Sequence, residues 1–342
     1  MVAGGLMTFG TTKVATRKVI IGMVSLVTSL IIGMTLLMSN PVNIAQKTDY
    51  PVIIKPVILR QDPGEVRIET THELLQILKE LNLWEAEMAA TVPPIVFVGF
   101  PENFHELADP ATRKKAFLHT LLPTALIALR EVQQEREKLQ MILQKIGNTW
   151  ERNPFSGGAE QYRSYLTASE TVFVKKLMKK YRTSDADELL SRVDVVPVSL
   201  ILGQGAIESS WGGSRFARAG NNLFGIWTWG ERGIVPANRE EGKNHKIKIY
   251  DSILDSVRGY VLTLNRLGAY RHLRELRRDS NDSMEIAQGL LYYSQRRDAY
   301  VQDVRRIISS NNLQRYDTIS LASSVWQALG SNTYSAQKQS SL

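Results

Sequence analysis

The chain has 342 residues, 43% hydrophobic and 22% charged, with a formal net charge of +8 and no cysteine. That is enough apolar material for one or two packed domains. The missing thiols exclude disulfides, cysteine-ligated metals, a lipoprotein attachment site and thiol catalysis. The positive charge leaves nucleic acid or an acidic polymer as partner classes.

Residues 19–38 form a run of 20 residues without a charge, preceded by Lys13, Arg17 and Lys18. Such a run is long enough to span a bilayer as a helix. Cations before it place residues 1–18 in the cytoplasm and the C-terminal body on the exported side. A cleaved signal peptide is the alternative, against which stand the length of the run and the lack of an A-x-A site after it. Residues 39–68, interrupted by Pro41, Pro51, Pro56 and Pro63, read as an extended tether. Residues 69–158 read as a helical accessory region. An amphipathic helix over 71–81 has Thr70 or Thr71 as its cap, and the apolar cluster Ile95-Val96-Phe97-Val98 follows. From 113 to 146 the pattern is strongly helical, with Pro123 marking a kink or a junction between two helices.

A domain over 159–325 begins with a predicted helix at 162–181, whose closing lysines suit a helix C-terminus. The run from Val195 to Gly205 reads as a buried helix with Pro197 in its first turn. It leads into Ala206-Ile207-Glu208-Ser209-Ser210-Trp211-Gly212-Gly213-Ser214, which sets one carboxyl group at the end of an apolar helix before a tight turn. Residues 201, 204, 205 and 208 share a helical face, so Gln204 is in reach of Glu208. A carboxyl group in an apolar wall stays protonated towards neutral pH, the state a general acid requires. A helix-terminal Glu paired with a nearby arginine is the plainer alternative.

Further motifs follow in order: Asn221-Asn222-Leu223-Phe224-Gly225-Ile226-Trp227, then Tyr250-Asp251-Ser252, Tyr292-Tyr293-Ser294-Gln295 and Asp298-Ala299-Tyr300. Lys246 to Tyr250 alternates charged and apolar residues as a half-exposed strand does. An amphipathic helix is predicted over 251–265, with Asp251 as its cap. The tail 326–342 reads as flexible.

In this order and spacing the chain resembles the glucosaminidase domain of glycoside hydrolase family 73, and in particular the Bax-type membrane-associated proteins of Gram-negative bacteria. The likeness is densest over residues 195–310 and extends to Phe117-Leu118-His119-Thr120-Leu121-Leu122-Pro123. It implies a mainly α (α+β) fold, a lysozyme-like helical domain with a small β-lobe between about 229 and 250, preceded by the transmembrane helix and the helical region. It implies that Glu208 of the E-S-x-W-G segment is the catalytic acid and that Asn222, Phe224, Gly225 and Ile226 line a sugar cleft. Tyr293, or its neighbour Tyr292, is implied to face the scissile sugar, with Tyr300 in the same motif; Arg296-Arg297 widen the spacing there. A second carboxylate is implied in the β-lobe, with Glu241 preferred over Glu240.

Trp227 and Trp229, at the loop leaving the motif, are the candidates for sugar stacking, whereas Trp211 and Phe224 are expected to be buried partly or wholly. The expected activity is hydrolysis of a β-1,4 bond beside N-acetylglucosamine in peptidoglycan, at a body held in the periplasm by the inner-membrane anchor. If no second carboxylate reaches the bond, the sugar's N-acetyl group acts as internal nucleophile. A lytic transglycosylase and a catalytically weak wall-binding module remain alternatives. No cofactor or metal is expected, since the histidines form no ligand motif. No nucleic-acid partner is expected of an exported body. The ten arginines from Arg266 to Arg315, against six acids, suit an acidic glycan or a solvated helical face.

Overall fold

The structure, a computed structural model, describes residues 64–146, 166–237, 239 and 241–323. The expected anchor at 19–38, the tether up to residue 63, the loop at 147–165, Glu240 and the tail from residue 324 lie outside the described residues. Among the described residues no helix is long and apolar enough to cross a membrane.

The first part of the chain gives β1 (Gly64–Val66), α1 (Thr71–Glu80), β2 (Thr91–Val92), β3 (Ile95–Phe97) and α2 (Pro110–Ile146). Then follow α3 (Ala168–Tyr181), α4 (Ala186–Arg192), α5 (Val198–Glu208) and α6 (Arg215–Gly220). The β-lobe comprises β4 (Trp227–Thr228), β5 (Gly233–Ile234) and β6 (Lys246–Lys248). The chain closes with α7 (Ile253–Arg266), α8 (Arg271–Asp279), α9 (Ser283–Ile286), α10 (Asp298–Ser310) and β7 (Ser320–Leu321). The fold is thus mainly helical with small sheets. β1 pairs in parallel with β3, and β2 with β7, tying the first part of the chain to its last strand. In the lobe, β6 lies between β4 and β5 and is antiparallel to both.

Local chemistry explains several element ends. Thr70 accepts a bond from the Glu73 amide and starts α1 as the sequence predicts. Helix α3 starts at Ala168, where Thr167 and Glu170 form a reciprocal capping box; the predicted start at Tyr162 lies outside the described residues. Ser252, rather than Asp251, caps α7; Asp251 is exposed and pairs with Arg232 at 2.6 Å.

Helix α2 runs for 37 residues through Pro123, so this residue does not divide two helices as one of the two expectations had it. A mid-helix proline costs on the order of 3 kcal/mol. Every side chain from Ala116 to Ala125 is buried, however, and each large apolar one contributes roughly 1.5–3 kcal/mol. Packing outweighs the lost backbone bond. The first half of α2 joins α5, α7, α10 and the β1–β3 pair in one core that includes Phe117, Leu121, Ile201, Phe224, Val257 and Val304. Its second half packs Leu139, Ile142 and Ile146 against Val174, Leu177 and Leu189 of α3 and α4.

Helix α5 is apolar nearly all round and buried from Val198 to Ala206. Pro197 precedes it and offers no capping side chain; Asp317 supplies the cap from afar, accepting from Ser199 N at 2.8 Å and Ser199 Oγ at 2.6 Å. Gly205 admits Leu121 of α2 so closely that a Cβ there would sit 3.0 Å from its Cδ2. Two of the arginines expected on a solvated face turn inward instead. Arg277 is buried and donates to Asn265 Oδ1 at 2.6 Å and to the Ser191 carbonyl at 2.7 Å, and buried Arg274 bonds the Leu267 carbonyl at 2.9 Å.

Candidate active site

Glu208 is the last residue of α5. Beyond it, Ser210, Trp211 and Gly212 all take left-handed backbone angles (φ 50°, 57° and 76°), so the chain turns away at once and leaves the carboxyl group at the helix end. Ser209 fixes this turn: its hydroxyl donates to the Gly205 carbonyl at 2.5 Å and accepts from Gly212 N at 2.8 Å. Trp211 packs edge-on against Phe117.

Below Glu208 runs a chain of hydrogen bonds with one direction. The Tyr260 hydroxyl donates to Gln204 Oε1, Gln204 Nε2 donates to the Tyr300 hydroxyl at 2.8 Å, and Tyr300 donates to Glu208 Oε1 at 2.7 Å. Gln204 therefore acts on Glu208 through Tyr300 and not by the direct bond its helical spacing suggests. Tyr300, expected at the substrate, is buried under the acid. Desolvation raises the Glu208 pKa above the usual carboxyl value, and the Tyr300 bond opposes this in part. Burial and the adjacent Glu208 hold the Tyr300 phenol neutral, far above its ordinary value.

Glu208 opens into a cleft of about 790 Å³ between α7 and the β-lobe. Phe224, Gly225, Ile226, Trp227, Trp229 and Tyr293 of the predicted set all line it. Gly225 sits at φ +66°, and a Cβ there would lie 3.3 Å from Glu208 Oε2. Its lack of a side chain lets the loop approach the carboxyl group. Asn222 is buried behind the wall: Nδ2 donates to the carbonyls of Ile226 at 2.9 Å and Lys248 at 2.8 Å, and Oδ1 accepts from Ile226 N at 3.0 Å. It clamps the loop to β6.

Tyr293 stacks on Tyr300 with ring centres 5.5 Å apart and donates to the Phe224 carbonyl at 2.7 Å. Phe224 in turn stacks on Tyr260. Trp227 and Trp229 are 51% and 69% exposed and meet edge-to-face, with His245 stacked on Trp227 at 4.2 Å. Exposed indoles on a cleft rim are suited to the apolar faces of a sugar ring. Tyr292 is exposed beside this rim, with the Arg297 guanidinium over its ring at 4.5 Å.

Glu241, the preferred second carboxylate, is not on this wall. Glu241 is exposed in the turn before β6 and is absent from the cleft lining, and Glu240 lies outside the described residues. Among the described residues Glu208 is the one carboxyl group lining the cleft. Sequence reasoning missed Tyr270, which lines the cleft and whose pKa burial and Glu208 push up to about 12. It also missed Arg182, Lys248 and Arg266 on the same wall. These are helix-end or strand-face residues that look like ordinary surface charges in sequence.

Residues 183–313 match the glucosaminidase family model, described as mannosyl-glycoprotein endo-beta-N-acetylglucosaminidase. The chain is similar to protein Bax of Escherichia coli (strain K12), 31% identical over 173 residues that cover 48% of this chain and 55% of that one. It is also similar to the peptidoglycan hydrolase FlgJ of Salmonella typhimurium (strain LT2), 28% identical over 147 residues covering 34% of this chain and 46% of the relative. The chain thus spans about half the length of the curated relatives it matches. A solved structure, the catalytic domain of the autolysin Auto from Listeria monocytogenes, aligns with 47% of this chain and 98% of its own at 20% identity and a TM-score of 0.29. Glu208 and the Gln204–Tyr260–Tyr300 chain beneath it all lie within residues 183–313, the part of the chain that matches the glucosaminidase model.

Proposed function

We propose that this chain is a peptidoglycan hydrolase that cleaves a β-1,4 glycosidic bond beside N-acetylglucosamine, with Glu208 as general acid. One observation carries the reading. A carboxyl group that burial keeps protonated above its usual range is held at Oε1 by Tyr300, on the wall of a cleft rimmed by exposed indoles. A protonated carboxyl group can deliver its proton to the leaving glycosidic oxygen. The similarity to FlgJ, whose name gives peptidoglycan as its substrate, supports the substrate class.

The lone carboxyl group on the described wall favours a substrate-assisted course. Glu208 gives its proton to the leaving oxygen as the C1–O bond breaks, and the acetamido oxygen of the same sugar closes onto C1. Water then opens this ring, and the Glu208 carboxylate takes the proton from the attacking water. Glu241, in its exposed turn, would have to move onto the wall to serve as the second carboxylate. We place the body on the exported side of the inner membrane, held by residues 19–38, on the charge pattern of that segment.

The test is incubation of the full chain with purified peptidoglycan, followed by mass spectrometry of the new ends, with Glu208→Gln alongside. Reducing N-acetylglucosamine ends made only by the unsubstituted protein are the expected result. Anhydro-muramic ends would move the chain to the lytic transglycosylases, and binding without products by both proteins would make it a wall-binding module.

A further inference from the structure

Among the described residues, the cleft carries cations that no ion pair on its wall balances, with Lys248 held only over the Tyr250 ring at 4.5 Å. Arg182, Arg266 and Lys248 all line it, and none makes a side-chain hydrogen bond or ion pair with another described residue. Among the described residues the one carboxyl group lining the cleft with them is Glu208, which desolvation keeps protonated beyond its usual range. Nε of Arg266 is buried without a partner. Burial, and after it the charge of Arg182, lower the Arg266 pKa.

Arg182 is held there at a cost. It ends α3 in the left-handed region, at φ 54° and ψ 49°, where glycine is the usual residue. Its carbonyl accepts from Arg192 at 3.0 Å, which pins the backbone and leaves the guanidinium to the cleft.

The adjoining hollow gives the comparison. It is about 910 Å³ and continuous with the cleft through Lys248, Tyr250 and Gly259. Its other cations are all matched: Lys180 pairs with Glu135 at 2.7 Å, Arg232 with Asp251 at 2.6 Å, and Arg258 with Glu131 and Asp255 at 2.5 and 2.9 Å. Among the described residues of the two hollows, the cations without an ion pair, Arg182, Arg266 and Lys248, all line the side that holds Glu208. A pair of guanidinium groups with free donors is complementary to a carboxylate.

We infer that Arg182 and Arg266, assisted by Lys248, bind a carboxylate borne by the glycan, so that the cleft selects acid-bearing wall glycan over neutral chitin-type chains. This rests on the hydrolase reading and adds the feature of the substrate that is recognised. Two sources share the chemistry: the lactyl carboxylate of a muramyl sugar freed of its peptide, and the carboxylates of the peptide stem.

The experiment measures equilibrium binding of the full-length Glu208→Gln protein to five probes. These are wall glycan fragments with stems, the same fragments stripped of stems, both of these again after carbodiimide amidation of their carboxylates, and neutral chitooligosaccharides of matched length. Amidation is expected to weaken binding at least about tenfold, since a charge-assisted hydrogen bond contributes on the order of 1.5–3 kcal/mol. Arg266→Gln or Arg182→Gln in the same background is expected to shrink that difference, and Arg266→Lys to restore part of it. Tight binding of stripped fragments assigns the lactyl group, and its loss on stripping assigns the stem. Equal binding of native and amidated fragments by the protein with both arginines intact overturns the inference, whatever the arginine variants do. Turnover separates the two readings. If the protein with Glu208 intact cleaves acid-bearing and neutral glycan with equal kcat/KM, selection by the arginines is lost and the hydrolase reading stands. If it neither binds nor cleaves any of them, both fall.

Discussion

Tyr300 donates a 2.7 Å hydrogen bond to Glu208 Oε1 and is the last member of a chain that starts at Tyr260, fully buried in the core. Among the described residues its phenol is the one group that opposes the desolvation raising the Glu208 pKa. Replacing Tyr300 by Phe is therefore expected to raise that pKa further. For a general acid the rate falls as pH rises through its pKa, so the basic limb of the pH–kcat/KM profile should move to higher pH. At the same time kcat should fall, because the carboxyl group is no longer held, and the protein should lose about 1–3 kcal/mol from the orphaned Gln204 amide. A basic limb that stays in place, measured on peptidoglycan fragments, would show that Tyr300 does not set the protonation of the acid.

The same burial predicts that Glu208→Gln is more stable than the unsubstituted protein. A carboxyl group whose pKa is raised on folding holds its proton longer in the native state than in the unfolded one. Stability is then lost as pH rises from the unfolded carboxyl value, near 4.3, through the native value. Glutamine keeps the acceptor for Tyr300 and carries no charge. Thermal melts of the two proteins should coincide near pH 4 and separate by pH 7, with the variant higher; coincident melts at pH 7 would contradict a desolvated Glu208.

Glu208 at the end of its apolar helix was legible because nine residues of steady burial must end in something, and Glu before Ser-Ser-Trp-Gly-Gly is an unusual end. The exposed Trp227 and Trp229 and the buried Phe224 could be read from their places around the Gly225 turn. What sequence did not carry was long-range pairing. Asp317 caps a helix 118 residues away, and Tyr300 reaches Glu208 across 92 residues. A tyrosine at helical spacing shows neither partner nor direction. Pro123 misled for the opposite reason: its local preference is real, and the packing that overrules it comes from α5 and α7. Arg277 is ordinary in a run of arginines until the fold closes over it.

Gly225→Ala should cost little stability and much activity. The left-handed φ of +66° carries a strain of about 1 kcal/mol for alanine. The added methyl would crowd Glu208 Oε2 from 3.3 Å, on the face of the carboxyl group not held by Tyr300. Small displacements of a catalytic group are costly, so kcat should drop on the order of 100-fold. The check is to set kcat beside the melting temperature: a loss of activity no larger than the loss of folded protein would remove any special role for this glycine.

A last prediction concerns acid stability away from the cleft. His119 of α2 is fully buried, with Nε2 2.9 Å from the Tyr316 hydroxyl and 3.0 Å from Glu87 Oε2, while Nδ1 has no partner. Burial lowers its pKa from 6.5 to about 4 despite the attraction of Glu87, because a second N–H would face nothing that accepts it. The native state thus stays neutral where the unfolded chain binds a proton, and stability falls as pH drops from 6.5 towards 4. Over that window the loss amounts to about 3 kcal/mol. His119→Gln keeps a donor for Glu87 and Tyr316 but has no titrating group. Chemical denaturation of both proteins at several pH values should show the unsubstituted protein losing this increment and the variant not; parallel curves would mean that other groups govern the acid limb.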